Sequence, residues 1–158
     1  MGVNILVIKL GALGDMVQAL GPMAAIRRYH ADVQVTALTT KPYATFLRAS
    51  GFFDSVWVDS RPSLLNVGAW IDLRRRFRNG GIRRVYDLQT SDRSGWYFRL
   101  FGNPRPEWSG IAVGCSHPHI NPQRDAMHTI ERQREQLAMA GIDDVPAPDV
   151  GWAVADLD

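Results

Sequence analysis

The chain predicts an α/β domain, a doubly wound and mostly parallel sheet of Rossmann-like type. Three observations carry that prediction. Short β-branched apolar runs alternate with amphipathic helical stretches along most of its 158 residues. The first run, Val3 to Ile8, is apolar at nearly every position, as a strand buried on both faces must be. A glycine-containing loop follows it directly and opens a helix.

The elements follow in order. After Val3–Ile8, the stretch around Met16, Leu20, Met23 and Ile26 has one apolar helical face. Pro22 interrupts it, and either the helix kinks there or a first turn ends and Pro22 opens the main helix. Val33–Leu38 is the second strand, and Pro42–Ala49 a helix closed by Gly51. Ser55–Val58 is the third strand. Val67, Trp70, Ile71 and Phe77 mark the next helix, rimmed by Arg74, Arg75, Arg76 and Arg78 and stopped by Gly80-Gly81. Arg84–Leu88 is the fourth strand, and Ser94–Phe101 the fourth helix, with Ser91 or Asp92 as its cap. Glu107–Val113 reads as a fifth strand, 114–123 as loop, and Asp125–Ala140 as the longest helix, terminated by Gly141. Residues 1–141 therefore form one domain. Residues 142–158, acidic and proline-punctuated, read as a linker and the start of a neighbouring domain.

Composition excludes several classes. One cysteine, Cys115, allows no internal disulfide and no multi-cysteine metal site, and suits a reducing, cytoplasmic setting. No apolar run reaches the ~18 residues that cross a bilayer. The net charge of +2 conceals an uneven distribution: residues 61–105 hold ten arginines against three aspartates, a balance of +7, whereas 106–158 carry −6. Sixteen of the eighteen basic residues are arginine, the side chain that grips phosphate or carboxylate in two places. An anionic partner and a merely solvated helix rim both account for this. Nucleic acid fits less well, because the arginines are not interleaved with aromatics in a reader motif.

In doubly wound sheets ligands bind at the carboxyl ends of the strands. Here the first such loop is Lys9-Leu10-Gly11-Ala12-Leu13-Gly14-Asp15. It is not the dinucleotide fingerprint, since Gly11 and Gly14 stand three apart with no third glycine in register and Thr39-Thr40 ends the second strand in place of an acid. It also lacks the lysine–serine/threonine ending of a P-loop. Asp15 is either a helix-start carboxylate favoured by the dipole or a general base, and spacing alone leaves both open.

Ile5 to Met16 resembles the opening of glycosyltransferase family 9, the ADP-heptose:lipopolysaccharide heptosyltransferases. The likeness continues through Gly21-Pro22, Lys41-Pro42-Tyr43-Ala44, Phe53-Asp54-Ser55-Val56, Tyr86-Asp87-Leu88-Gln89 with Arg93-Ser94, and His128-Thr129-Ile130-Glu131-Arg132. It covers nearly the whole chain in order and spacing. The resemblance implies the N-terminal, acceptor-binding half of a two-domain GT-B enzyme. It implies inverting, metal-independent transfer with no cofactor beyond an ADP-sugar co-substrate such as ADP-heptose, bound mainly by a donor domain that this sequence lacks. Asp15 is then the catalytic base. Lys9, Gly11, Ala12, Arg61, Gln89, Arg93 and His128 are the acceptor-binding candidates, and the acceptor is an anionic lipid A/Kdo-type saccharide. The chain by itself is expected to be inactive, cytoplasmic, and in peripheral contact with the inner-membrane surface. A stand-alone α/β binding or regulatory module with an anion-binding face is the competing expectation.

Overall fold

A computed structural model describes residues 2–155. Six strands form one sheet: β1 (Asn4–Ile8), β2 (Gln34–Thr39), β3 (Ser55–Val58), β4 (Ile82–Asp87), β5 (Glu107–Gly110) and β6 (His117–Pro118). Their order is β3-β2-β1-β4-β5-β6, and every neighbouring pair runs parallel. The expected strand is thus central, and the order reverses between β1 and β4. That reversal leaves a crevice at the carboxyl ends of those two strands.

The apolar run of β1 explains its place. Ile5 and Val7 face one layer, built with α1 (Leu13–Gln18), α2 (Leu20–Tyr29), α3 (Lys41–Ala49) and α6 (Thr129–Met139). Leu6 and Ile8 face the other, built with α4 (Val67–Asn79) and α5 (Asp92–Leu100). All four are buried, so the two-residue alternation of a strand feeds two cores at once. The second core is mostly aromatic: Phe77 stacks on Phe101 at 4.7 Å, and Trp108 meets Phe98 and Phe101 edge-on.

Pro22 breaks nothing. The short α1 ends at Gln18, and Pro22 lies in the first turn of α2, where a backbone N–H has no helical partner to lose. Ser91 is the cap of α5: its hydroxyl accepts the Ser94 N–H, while the Ser94 hydroxyl accepts the Ser91 N–H.

Three expectations need correction. The fifth strand stops at Gly110, because its neighbour β6 is only two residues long; beyond it Val113 stands 90% exposed. β6 itself lies within the stretch read as loop, and a two-residue strand has no periodicity to detect. The long helix is divided. A 3₁₀ turn spans Arg124–Ala126, Met127 and His128 are extended, and α6 begins at Thr129.

Residues 142–150 run without helix across the α2 side of the sheet. Ile142 is buried, and the Pro146 carbonyl passes so close to Gly21 that a Cβ there would lie 2.2 Å from it. A final helix, α7 (Gly151–Ala155), brings Trp152 to 4.9 Å from Phe46.

Candidate functional site at the strand-order reversal

The β1 loop is fastened to its neighbours by local hydrogen bonds. The Lys9 N–H continues the ladder to Leu38, and Thr40 Oγ1 donates to the Leu10 carbonyl at 2.6 Å. The Gln89 side-chain oxygen accepts the Leu10 N–H at 2.9 Å. Gln89, expected to touch an acceptor, therefore spends that oxygen on holding the loop. Gly11 lies against the Tyr43 ring, where an added Cβ would meet Cε2 at 3.0 Å. Ala12 is the extended residue before α1, and its carbonyl accepts the Met16 N–H at 2.8 Å.

Asp15 is exposed, in the first turn of α1. The residue before the helix is Ala12, and no side chain caps it, so Asp15 does not act as a hydrogen-bonded cap. Its carboxylate stands open at the crevice mouth.

Lys9 is 5% exposed and lies in the attraction of both Asp15 and Asp87. Burial pulls its ammonium below the usual lysine range, and those two carboxylates oppose the shift. Asp87 ends β4 with no exposed surface. One carboxyl oxygen accepts the N–H groups of Gln89 at 3.1 Å and Thr90 at 2.9 Å. The other has no hydrogen-bond partner. Burial pushes this carboxyl up to about 6, against the pull of those N–H groups, Ser94 and Lys9. Above it, Gln136 donates to the carbonyls of Asp87 and Ser109, pinning α6 over the strand ends.

Gln133, one turn earlier on the same helix, is buried with both amide atoms unpartnered. Arg124 likewise has two buried guanidinium nitrogens without partners and feels both Asp87 and Arg132. Lys9, Arg124 and Arg132 thus bring three cations toward two carboxylates at the reversal point. Such an excess of donors, some left unpaired, suits an anionic ligand that also offers a hydroxyl to Asp15.

The remaining expected residues divide. His128 precedes α6, exposed and without a capping bond. Arg61 and Arg93 belong to a second group around the end of β3. The Arg61 N–H donates to Asp59 at 2.8 Å, Tyr97 donates its phenol proton to the same carboxylate, and Arg93 donates to Tyr97 and to the Pro62 carbonyl. Arg93 also lies 5.6 Å from the Trp70 ring, so much of its reach is committed. His117 and His119 turn to different partners, Ser116 and Glu135, and share no ligand position.

Sequence reasoning missed Asp87, Arg124 and Arg132 as site residues. A carboxylate ending an apolar strand two residues before Gln89 was one available signal. The four-residue spacing of Arg124, His128 and Arg132 was another, hidden inside an acidic third of the chain.

No protein-family model and no curated protein matches the chain. Solved structures do. A glycosyl transferase of family 9 from Veillonella parvula superposes with a TM-score of 0.74 at 15% identity, over 92% of this chain and 43% of that one. The Escherichia coli heptosyltransferase WaaC, in complex with ADP-2-deoxy-2-fluoro heptose, gives 0.69 at 15%, over 98% and 53%. The Escherichia coli ADP-heptose LPS heptosyltransferase II gives 0.68 at 15%, over 93% and 46%. The chain spans about half the length of these structures. The parallel α/β sheet described above is accordingly similar in fold to one half of GT-B glycosyltransferases of this kind.

Proposed function

We propose that this chain is the acceptor-binding half of an inverting glycosyltransferase. It moves heptose, or a related sugar, from an ADP-sugar to an anionic saccharide of the lipopolysaccharide inner core. The observation that carries the reading is the open Asp15 carboxylate beside the buried Lys9 ammonium at the strand-order reversal. The fold shared with glycosyltransferases supports it.

In this mechanism Asp15 takes the proton from an acceptor hydroxyl as that oxygen attacks the anomeric carbon. The bond from that carbon to the diphosphate breaks, and ADP leaves with the electron pair. Lys9, Arg124 and Arg132 hold the acceptor's carboxylate or phosphate and fix the hydroxyl's distance to Asp15. In this reading the donor sugar is held by the half of the enzyme outside the span of this chain, the transfer is metal-independent, and the enzyme works as a peripheral protein at the cytoplasmic face of the inner membrane.

The test is Asp15→Asn in the two-domain enzyme, assayed with ADP-heptose and a Kdo-bearing acceptor. Asparagine preserves shape but cannot take the proton, and losing a general base costs ~10²–10⁴-fold. Turnover should fall by that factor, with acceptor affinity and melting temperature unchanged. Unchanged turnover refutes the base.

A further inference from the structure

We propose that the cavity between the first half of α5 and the loop leaving β5 is a subsite for an uncharged pyranose ring. Which molecule carries that ring rests on the transfer reading, where it is a further sugar of the acceptor; the cavity itself is decided by sugar binding alone.

The helix α5 carries a glycine that its own structure does not call for. Gly95 lies inside the helix, and a Cβ built there meets nothing within 4 Å. Glycine is the poorest helix former after proline, so the position gives up helix propensity and keeps open space. That space is a cavity of about 360 Å³, within the range of small-ligand sites. Its other wall is the β5–β6 connection, where Ile111 and Val113 stand 40% and 90% exposed, and Trp96 at 59% adjoins them. Three exposed apolar side chains around one hollow form a wall against which the C–H face of a sugar ring sheds water.

The polar groups select the ligand. Asp92 and Arg99 line the same cavity, and Arg99 lies 5.0 Å from the Trp96 ring. Among the described residues neither Asp92 nor Arg99 forms an ion pair. One accepting carboxylate and one donating guanidinium suit hydroxyl groups, which both give and take hydrogen bonds. An anionic unit would meet Asp92, and a wholly apolar one would strip both charges of water without replacing it. Position joins the cavity to the crevice. Its walls stand at the carboxyl ends of β4 and β5, and β4 borders β1 at the strand-order reversal. With strands ~4.8 Å apart, the cavity lies roughly 7 Å sideways from the end of β1. Thr90 makes the turn between the two. Its N–H donates to Asp87, and its φ of +46 is one that a β-branched residue rarely adopts. Ser91, next to it, caps α5 and lines the cavity. A saccharide whose anionic unit is held by Lys9 and Arg124 therefore extends along the strand ends to a second ring here.

The experiment is titration of the isotope-labelled 158-residue chain with methyl α-D-mannopyranoside, followed by the amide and indole resonances. Methyl β-D-glucuronide is the anionic comparison and cyclohexanol the apolar one. Saturable shifts should appear at Gly95, at the Trp96 indole and at Val113, and high salt should leave them in place, because the ligand is uncharged. Gly95→Leu fills the hollow with a side chain that a helix favours, so melting should hold or rise while Kd increases at least ~tenfold. Val113→Ser alters only an exposed side chain and should weaken binding about threefold. Asp15→Asn should bind the glycoside like the parent, so a failure to bind sugar is read apart from the turnover test of Asp15. The absence of saturable shifts, or shifts that Gly95→Leu leaves unaltered, overturns the proposal. So does tighter binding of the glucuronide, which would make the cavity an arm of the cationic site, or an equal response to cyclohexanol, which would make it an apolar hollow only.

Discussion

Replacing Asp87 by asparagine isolates the electrostatic strain beneath the site. The aspartate is wholly buried, and its carboxyl sits at about 6 where the unfolded chain has 3.8. Below 3.8 both states carry the proton and nothing is lost. As the pH rises through 3.8, the unfolded chain ionises first, so stability drains away until the native carboxyl ionises near 6. A difference from 3.8 to about 6, at ~1.36 kcal/mol per unit, is about 3 kcal/mol. Asparagine keeps an oxygen for the Gln89 and Thr90 N–H groups and places its amide where the carboxylate oxygen has no partner. It does not titrate. Urea unfolding followed by tryptophan fluorescence, at a series of pH values spanning that window, gives the stability difference between variant and parent. That difference should move by about 3 kcal/mol in the variant's favour from the acid end to the neutral end. A difference that stays flat with pH would show that the buried carboxyl is not raised, and would remove the charge-strained floor assigned to the crevice.

His30 should give the opposite slope. Burial first, then Arg84 and Arg27, bring its imidazole down to about 4 from 6.5, so the stability it contributes is complete above 6.5 and lost as pH falls toward 4. His30→Asn should flatten that acid limb in the same unfolding series. Gly21→Ala places a Cβ 2.2 Å from the Pro146 carbonyl. A helix gain of up to ~1 kcal/mol does not offset an overpacking cost of ~1–3 kcal/mol, so melting should drop and proteolysis within 142–150 should quicken. Tyr97→Phe removes the phenol that donates to the buried Asp59 carboxylate, and should cost ~1–3 kcal/mol in urea unfolding with the fold retained by circular dichroism.

The central strand, the parallel sheet and most helices were legible in the sequence because each leaves a local record. Ile5 to Ile8 is apolar on both faces because two layers cover β1, and that demand is written into consecutive residues. The cap at Ser91 and the stop at Gly141, whose φ of +94 suits glycine, are local for the same reason. The loop bearing Lys9 and Asp15 was legible too, since a strand followed by a glycine loop and a helix start places its residues at the carboxyl end of that strand whatever the remainder does.

What surrounds that loop was decided by tertiary structure. Gln89 holds Leu10 across 79 positions, Gln136 reaches the Asp87 carbonyl across 49, and the short β6 exists only because β5 offers it an edge. The burial of Asp87, and so its raised carboxyl, depends on α6 crossing the ends of β4 and β5. Periodicity records which face of an element is apolar, but not which distant polar group it meets. Hydrogen-bond partners and desolvation follow from the three-dimensional packing of strands and helices far apart in sequence, and no local pattern of residues encodes them.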